Sequence, residues 1–144
     1  ERKETIGIQF LDPEYLFDKR KGLVSIQVND EEILKQAPRP VFYRALTDND
    51  RGAKQTYAKW LNASLFQYVV DFKMIRNSKC AQMIYTIQLE SIEEECKLVY
   101  TVYNNQSIQI QLHLDKNSKR QTLPLFGIEF ALYRSRPCLN RFLL

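Results

Sequence analysis

The chain has 144 residues, of which 44% are hydrophobic, and this is typical of a globular protein long enough to bury a core. Its formal net charge is +4, but basic and acidic residues are mixed along the chain, which argues against a nucleic-acid-binding surface. No stretch approaches the roughly 18 apolar residues of a membrane span, and there is no signal-peptide pattern, so we expect a cytoplasmic protein.

Short apolar runs separated by turn residues occupy the first third of the chain. Asn29 and Asp30 separate two of these runs as a hairpin turn does, and Pro38 and Pro40 hold the following stretch extended. The sequence therefore predicts strands at Thr5–Phe10, Glu14–Phe17, Leu23–Val28 and Glu31–Leu34.

One helix is predicted, over Ala53–Ala63, because Tyr57, Trp60 and Leu61 share a face at i, i+3 and i+4. An alternative is that the aromatic side chains of this region form a stacking platform for sugar rings: Tyr57, Trp60, Phe66 and Tyr68. We expect these rings to pack against a sheet instead, since an aromatic stripe at helical spacing is more often buried.

From Leu65 onward, apolar and polar residues alternate as they do in antiparallel strands with one buried and one solvated face. The apolar positions are Met83, Tyr85, Ile87, Leu89, Leu98, Tyr100, Val102, Ile108, Ile110, Leu112 and Leu114, and one more strand contains Ile128, Phe130 and Leu132. Strands at this spacing predict an all-β antiparallel sandwich. No linker divides residues 1–144, so a single domain is expected.

Polar chemistry is concentrated in one segment after the two prolines. Its candidate site residues are Arg44, Asp48, Asn49, Asp50, Arg51 and Gly52. Asp and Asn favour tight turns and glycine permits a positive φ, so we expect a stiff, self-bonded polar loop. Two carboxyls about 5–5.5 Å apart would suit a retaining glycosidase, but residues two apart in a turn seldom flank a sugar bond. We therefore predict that Asp48 and Asp50 bind backbone amides, Arg44 or Arg51.

Metal sites are not predicted. A calcium loop starting at Asp48 would place Gly52 at its fifth position, where a ligand belongs. His113 stands on the polar side of a strand and is expected to be solvated. The three cysteines match no zinc spacing and are expected to be small apolar residues on strands: Cys80, Cys96 and Cys138.

The segment Tyr43–Gly52 resembles the aromatic-Arg-Ala-Pro-Thr-Asp-Asn-Asp-x-Gly signature of the C-terminal, or small-chain, β-domain of large bacterial β-galactosidases, of the glycoside hydrolase family 2 type. Leu46 stands where that family usually has proline. Further segments resemble the family in the same order: Phe17–Leu23, Pro38–Phe42 and Leu125–Phe130. The chain opens without methionine, as an excised segment would, and stops near the family's aromatic-Tyr-Gly-x-Gly-Pro segment. About half of the domain is therefore expected to lie outside it.

The resemblance implies a truncated supersandwich like that of galactose mutarotase, with no catalytic residue and no metal or other cofactor of its own. In the family the two catalytic glutamates lie on a TIM barrel elsewhere in the polypeptide, and a requirement for Mg²⁺ or Na⁺ would belong to that longer enzyme. Candidate residues from Arg44 to Arg51 would be scaffold beside the galactoside pocket. Gly52 would be a hinge for a mobile start at Ala53–Tyr57.

The implied activity is retaining hydrolysis of terminal β-D-galactosides in the bacterial cytoplasm. The implied partners are the remaining domains or a large subunit, the galactoside through them, and further copies of the chain. Unpaired strand edges in a domain cut near its middle should promote dimerisation or aggregation.

A stand-alone carbohydrate-binding or mutarotase-like module is the alternative. A mutarotase needs a histidine and a carboxylate as an acid–base pair on its concave sheet. The single histidine, His113, is a weak basis for such a pair. Affinity of the isolated chain for galactose would favour the module.

Overall fold

The computed structural model describes residues 4–9, 12–52, 57–115 and 122–133, and these form antiparallel β-sheets with little helix. The strands are β1 Thr5–Gln9, β2 Glu14–Asp18, β3 Gly22–Val28, β4 Glu31–Glu32, β5 Leu34–Val41, β6 Gln67–Arg76, β7 Cys80–Leu89, β8 Glu94–Tyr103, β9 Ile108–Leu114 and β10 Gly127–Leu132. The helices are α1 Asp48–Gly52, α2 Ala58–Leu65 and a 3-10 turn at Glu90–Ile92. This confirms the predicted antiparallel all-β class.

Two compact units make up the described part of the chain. The first contains the described residues before Arg39 and after Glu129, and the second is Arg39–Glu129. The single domain expected over residues 1–144 stays a prediction. The longest helix of the described residues spans eight residues, and none of these helices is long and apolar enough to cross a membrane.

The first unit is built on the sheet β1-β2-β3-β4, in which each strand is antiparallel to the next. Asn29 and Asp30 adopt φ of 50° and 62°, so the predicted hairpin turn is confirmed. The strand predicted over Glu31–Leu34 is instead broken after Glu32, whose carboxylate accepts the backbone N–H groups of Ile26 and Leu34 at 3.0 and 2.9 Å. The buried apolar residues are Tyr15, Phe17, Leu23, Ile33 and Leu34.

The second unit is built on the antiparallel meander β6-β7-β8-β9. The predicted apolar positions of its two central strands are buried on one face, together with Cys96: Met83, Tyr85, Ile87, Leu89, Leu98, Tyr100 and Val102. The rings of Tyr85 and Tyr100 meet edge to face with centroids 5.7 Å apart. The alternation read from the sequence is therefore confirmed on this face.

The opposite face is less solvated than predicted at the centre of β8. Val99 and Thr101 are 9% and 2% exposed, although they point away from the apolar face. Gln82 and Gln109 flank Thr101 across the register, and the Gln82 amide lies 3.3 Å from the Thr101 hydroxyl. Long polar side chains on neighbouring strands thus flank a position that alternation alone assigns to water.

Helix α2 begins later and ends two residues later than predicted, and residues 53–56 lie outside the described part. Ser64 accepts the backbone N–H of Phe42 at 2.9 Å and donates to the Trp60 carbonyl at 2.9 Å, which ties α2 to the segment after β5. Tyr57 and Trp60 are buried, as expected, at 8% and 1% exposure.

The expectation that all four aromatic residues pack against a sheet is wrong for Phe66 and Tyr68. They are 60% and 53% exposed, because Phe66 follows the end of α2 and Tyr68 points outward from an edge strand. Cys80 and Cys96 lie on strands as expected, whereas Cys138 falls outside the described residues.

Replacing Leu98 by alanine should lower the free energy of unfolding by about 2–5 kcal/mol, since the residue is 2% exposed in a central strand and truncation leaves a cavity. Lys97→Ala, one residue away on the opposite and exposed side, is the matched control and should stay within about 0.5 kcal/mol of wild type. Urea denaturation measures both, and equal losses would contradict the assigned faces.

Candidate functional site

The candidate segment contains a single capped helical turn rather than the tight loop expected from its composition. Thr47 precedes α1, and its hydroxyl lies 3.3 Å from the Asp50 backbone nitrogen. In return the Asp50 carboxylate accepts the Thr47 backbone N–H at 2.8 Å and its hydroxyl at 2.7 Å. This reciprocal pattern is a capping box, with aspartate in the place usual for glutamate.

Asp50 is the centre of the site. Besides the bonds from Thr47, its carboxylate accepts hydrogen bonds from both arms of the Arg44 guanidinium, at 2.7 and 3.4 Å. The Tyr57 hydroxyl donates a hydrogen bond to Oδ1 of the same carboxylate at 3.2 Å. The aspartates were predicted to bind backbone amides, Arg44 or Arg51, and for Asp50 this is confirmed with the Thr47 amide and Arg44. Both oxygen atoms of the carboxylate are engaged.

Arg44 links this turn to a segment that is distant in sequence. Its Nε donates to the Pro124 carbonyl at 3.1 Å, and Nη1 donates to the Ala45 carbonyl at 3.1 Å. A planar guanidinium holds carboxylate and carbonyl partners in fixed directions. Arg44 therefore fixes the orientation of α1 relative to the residues that lead into β10.

Hydrogen bonds and the neighbouring positive charge of Arg44 favour the ionised form of Asp50, and they outweigh the opposing effect of burial. Hydrogen bonding from Arg44, with that from Thr47, holds the pKa of the Asp50 carboxyl well below its usual range. The same bond raises the pKa of Arg44, while burial and then the hydrogen bond to Asp50 raise the pKa of Tyr57. The site is a carboxylate–guanidinium pair with a neutral phenol at neutral pH.

The other predicted site residues face solvent. Asp48 and Arg51 form an ion pair at 3.5 Å, as predicted, but their side chains are 99% and 68% exposed, so the pair contributes little to stability. Asn49 is exposed. Gly52 ends α1 without a positive φ, and a Cβ added there would meet no atom within 4 Å, so nothing in this conformation requires glycine.

Two residues of the site were missed from the sequence. Thr47 carried a readable signal, because Thr-x-x-Asp before a helical turn is a capping pattern. Tyr57 carried none that identifies Asp50 as its partner, since its contact crosses seven positions of sequence. The sequence placed it on a helix face, in the alternative stacking platform and at the end of the mobile start Ala53–Tyr57.

Among the described residues there is no cluster of three or more His, Cys, Asp or Glu side chains that could hold a metal ion. His113 is also not paired across the strands with a carboxylate, as the acid–base pair of a mutarotase would require. It is exposed on β9 as expected, and its neighbour across the register is Lys97. Burial raises the pKa of the Cys96 thiol to about 12, so this cysteine is inert.

Thr47→Ala should lower the free energy of unfolding by about 0.5–2 kcal/mol, because the capping box loses its hydroxyl. Thr47→Ser keeps the hydroxyl and should retain most of that stability. Urea denaturation of both variants at neutral pH makes the comparison, and equal losses would show that the cap contributes nothing.

Asp50→Asn should destabilise the chain at neutral pH and progressively less in acid. A carboxyl whose pKa is lowered on folding contributes stability above its ordinary pKa of about 4, and that stability is lost as the pH falls toward the lowered pKa. Urea unfolding of wild type and variant at pH 7, 4 and 3 should show a narrowing difference. A difference that stays constant across this range would contradict the assigned ionisation.

Comparison with known proteins reveals a family. A family model described as beta galactosidase small chain matches residues 11–138. Beta-galactosidases of Clostridium acetobutylicum and Halalkalibacterium halodurans are 30% and 33% identical over 89% of this chain, which covers 15% and 13% of their lengths. The beta-galactosidase small subunit of Latilactobacillus sakei is 26% identical, with 89% of this chain and 48% of the subunit covered. The chain thus spans a small part of the first two relatives and about half of the small subunit.

Proposed function

The chain belongs to the β-galactosidase small-chain family, and we propose that it is a non-catalytic β-sheet part of an enzyme that hydrolyses terminal β-D-galactosides. The remaining polypeptide, as further domains of one chain or as a large subunit, would carry the reacting groups. In this proposal the turn centred on Asp50 supports the wall of the galactoside site, and the sheets contribute to subunit packing.

The observation that carries the proposal is the state of the Asp50 carboxylate. A general acid in glycoside hydrolysis needs a raised pKa, and a nucleophile must be free to face the anomeric carbon. Asp50 has a lowered pKa, and both oxygen atoms already accept hydrogen bonds from Arg44, Thr47 and Tyr57. Such a carboxylate is suited to holding a backbone segment in place.

Asp48 does not supply the second half of a catalytic pair. Its side chain is 99% exposed, and its ion-pair partner Arg51 is itself 68% exposed. A catalytic carboxyl of this chemistry works in an enclosed site, shielded from bulk solvent, where it flanks the sugar bond. The candidate carboxylates are therefore better explained as one structural group and one surface group.

Hydrolysis of a chromogenic β-galactoside by the 144-residue chain, and by a longer protein that includes the remaining polypeptide, tests the proposal. We expect no turnover by the chain alone and turnover by the longer protein. Activity of the chain alone would overturn the proposal, and affinity of the isolated chain for galactose without turnover would favour the carbohydrate-binding module instead.

Within the longer protein, Asp50→Asn should lower kcat/KM by up to about 100-fold, the size of effect expected when a supporting segment is misplaced by about 1 Å. Asp48→Asn is the matched control, because its exposed side chain makes the same chemical change without touching the site, and it should leave kcat/KM unchanged. A total loss of activity in Asp50→Asn with a normal fold would contradict a supporting role.

The Gly52→Ala variant tests whether Gly52 acts as a hinge during turnover. The resting fold accommodates a Cβ here, so the variant should unfold within about 0.5 kcal/mol of wild type. If Gly52 is a hinge during turnover, the longer protein carrying Gly52→Ala should nevertheless show a lower kcat. Unchanged kcat in a stable variant would remove the hinge from the proposal and leave the scaffold role of Asp50 intact.

A further inference from the structure

Strand β6 lies at one edge of the meander formed by the described strands. The sheet order is β6-β7-β8-β9, so β6 pairs with β7 on one side and with no other strand of the described residues. It spans ten residues, Gln67–Arg76, and contains no proline. A long edge of this kind presents a row of backbone donors and acceptors that another strand can pair with.

Apolar side chains are exposed along the same strand. Tyr68, Val70, Met74 and Ile75 are between 47% and 53% exposed. Edge strands that remain solvated are usually short or carry several charges. Here the charges are limited to the C-terminal Arg76 and one pair in the middle, Asp71 and Lys73, whose side chains lie 3.7 Å apart.

The register with β7 shows which side chains share the outer face. Phe72 and Met74 stand opposite the buried Tyr85 and Met83, so they belong to the apolar face of the sheet. The residues between and around them point the other way, and in chain order they are Tyr68, Asp71, Lys73 and Ile75. The order is apolar, acidic, basic, apolar. When two copies of this strand run antiparallel, each apolar residue therefore faces an apolar residue and each charge faces the opposite charge.

We propose that β6 pairs antiparallel with β6 of a second copy of this chain, about a two-fold axis at Phe72. In this register Asp71 faces the partner's Lys73, and Lys73 faces the partner's Asp71. The bulge between Val69 and Asp71 adds one residue to the strand, which brings Ile75 opposite the partner's Tyr68. Cross-strand pairs of opposite charge and of aromatic with β-branched residues are the favourable ones.

Charge selects this register over its neighbours. Moving the axis by one residue, to Asp71 or to Lys73, would place two aspartates or two lysines directly opposite each other, which is unfavourable. A two-fold axis repeats each contact, so the favourable register gains two opposite-charge pairs and two apolar pairs. The occupant of the edge is therefore identified by self-complementarity, and this inference does not depend on galactoside hydrolysis.

Sedimentation equilibrium of the 144-residue chain and its charge-reversed variants tests the proposal. The wild type should dimerise, and Asp71→Lys or Lys73→Asp alone should weaken dimerisation by about ten-fold or more, since two attractive pairs become repulsive. The double variant D71K/K73D should restore wild-type dimerisation. An equimolar mixture of the two single variants should form heterodimers, because each then supplies the charge that the other lacks.

Lys97→Asp is the matched control for net charge. Lys97 is exposed on the same outer face but lies in the internal strand β8, so its reversal should leave dimerisation unchanged. A wild type that stays monomeric at high concentration would overturn the proposal. A dimer insensitive to the reversals at positions 71 and 73 would also overturn it.

Hydrogen exchange gives a readout that needs no substitution. The backbone amides of Gln67–Arg76 should become protected as the protein concentration rises, while those of β9, the opposite edge, should not. Concentration-dependent protection confined to β9 would contradict the proposal. In a longer protein, protection of β6 in a monomer would assign the edge to the rest of the small subunit and overturn pairing between copies.

Discussion

The pairing of Arg44 with Asp50 is the constraint on which the candidate site depends. Asp50 sits at the third position of a five-residue helix, too short to be stable by itself, and its carboxylate caps that turn through Thr47. Arg44 neutralises the same carboxylate and reaches the Pro124 carbonyl. One ion pair thus connects the turn after β5 with the residues before β10.

The pair is effective because the Asp50 side chain is only 12% exposed, whereas Asp48 and Arg51 form the same kind of pair with side chains 99% and 68% exposed. A solvated ion pair is screened and its side chains remain free to move, so it organises little. A partly buried carboxylate with several fixed donors has one preferred position. This difference in burial explains why two aspartates two residues apart have different structural roles, and it underlies the proposed supporting role.

Most of the fold could be predicted from the sequence because burial in a sheet leaves a period of two. This period of two is visible in the buried residues of β7, which are Met83, Tyr85, Ile87 and Leu89. The hairpin turn is predictable because Asn29 and Asp30 tolerate a positive φ. The prediction was wrong where neighbours in space decide the outcome. Thr101 is buried between long polar side chains, and Tyr68 is exposed on a strand that lies at the edge of the described meander.

The candidate site was predictable in part for the same reason. Residue types predicted that the two aspartates bind backbone amides, Arg44 or Arg51, and the structure assigns Arg44 to Asp50 and Arg51 to Asp48. Tyr57 lies seven positions after Asp50, and Pro124 lies 80 positions after Arg44. No pattern of residue types in the sequence identifies either contact. The family resemblance named the segment but not these contacts, which carry the argument that Asp50 is a structural group.

The most direct test of that argument is the pH dependence of kcat/KM in a longer, active protein that carries Asp50→Asn. If Asp50 is a supporting carboxylate that stays ionised throughout the working range, its replacement should lower kcat/KM equally at every pH. Both limbs of the pH profile should then stay in place. Loss or displacement of one limb in the variant would make Asp50 an acid or base of the reaction and would contradict the account.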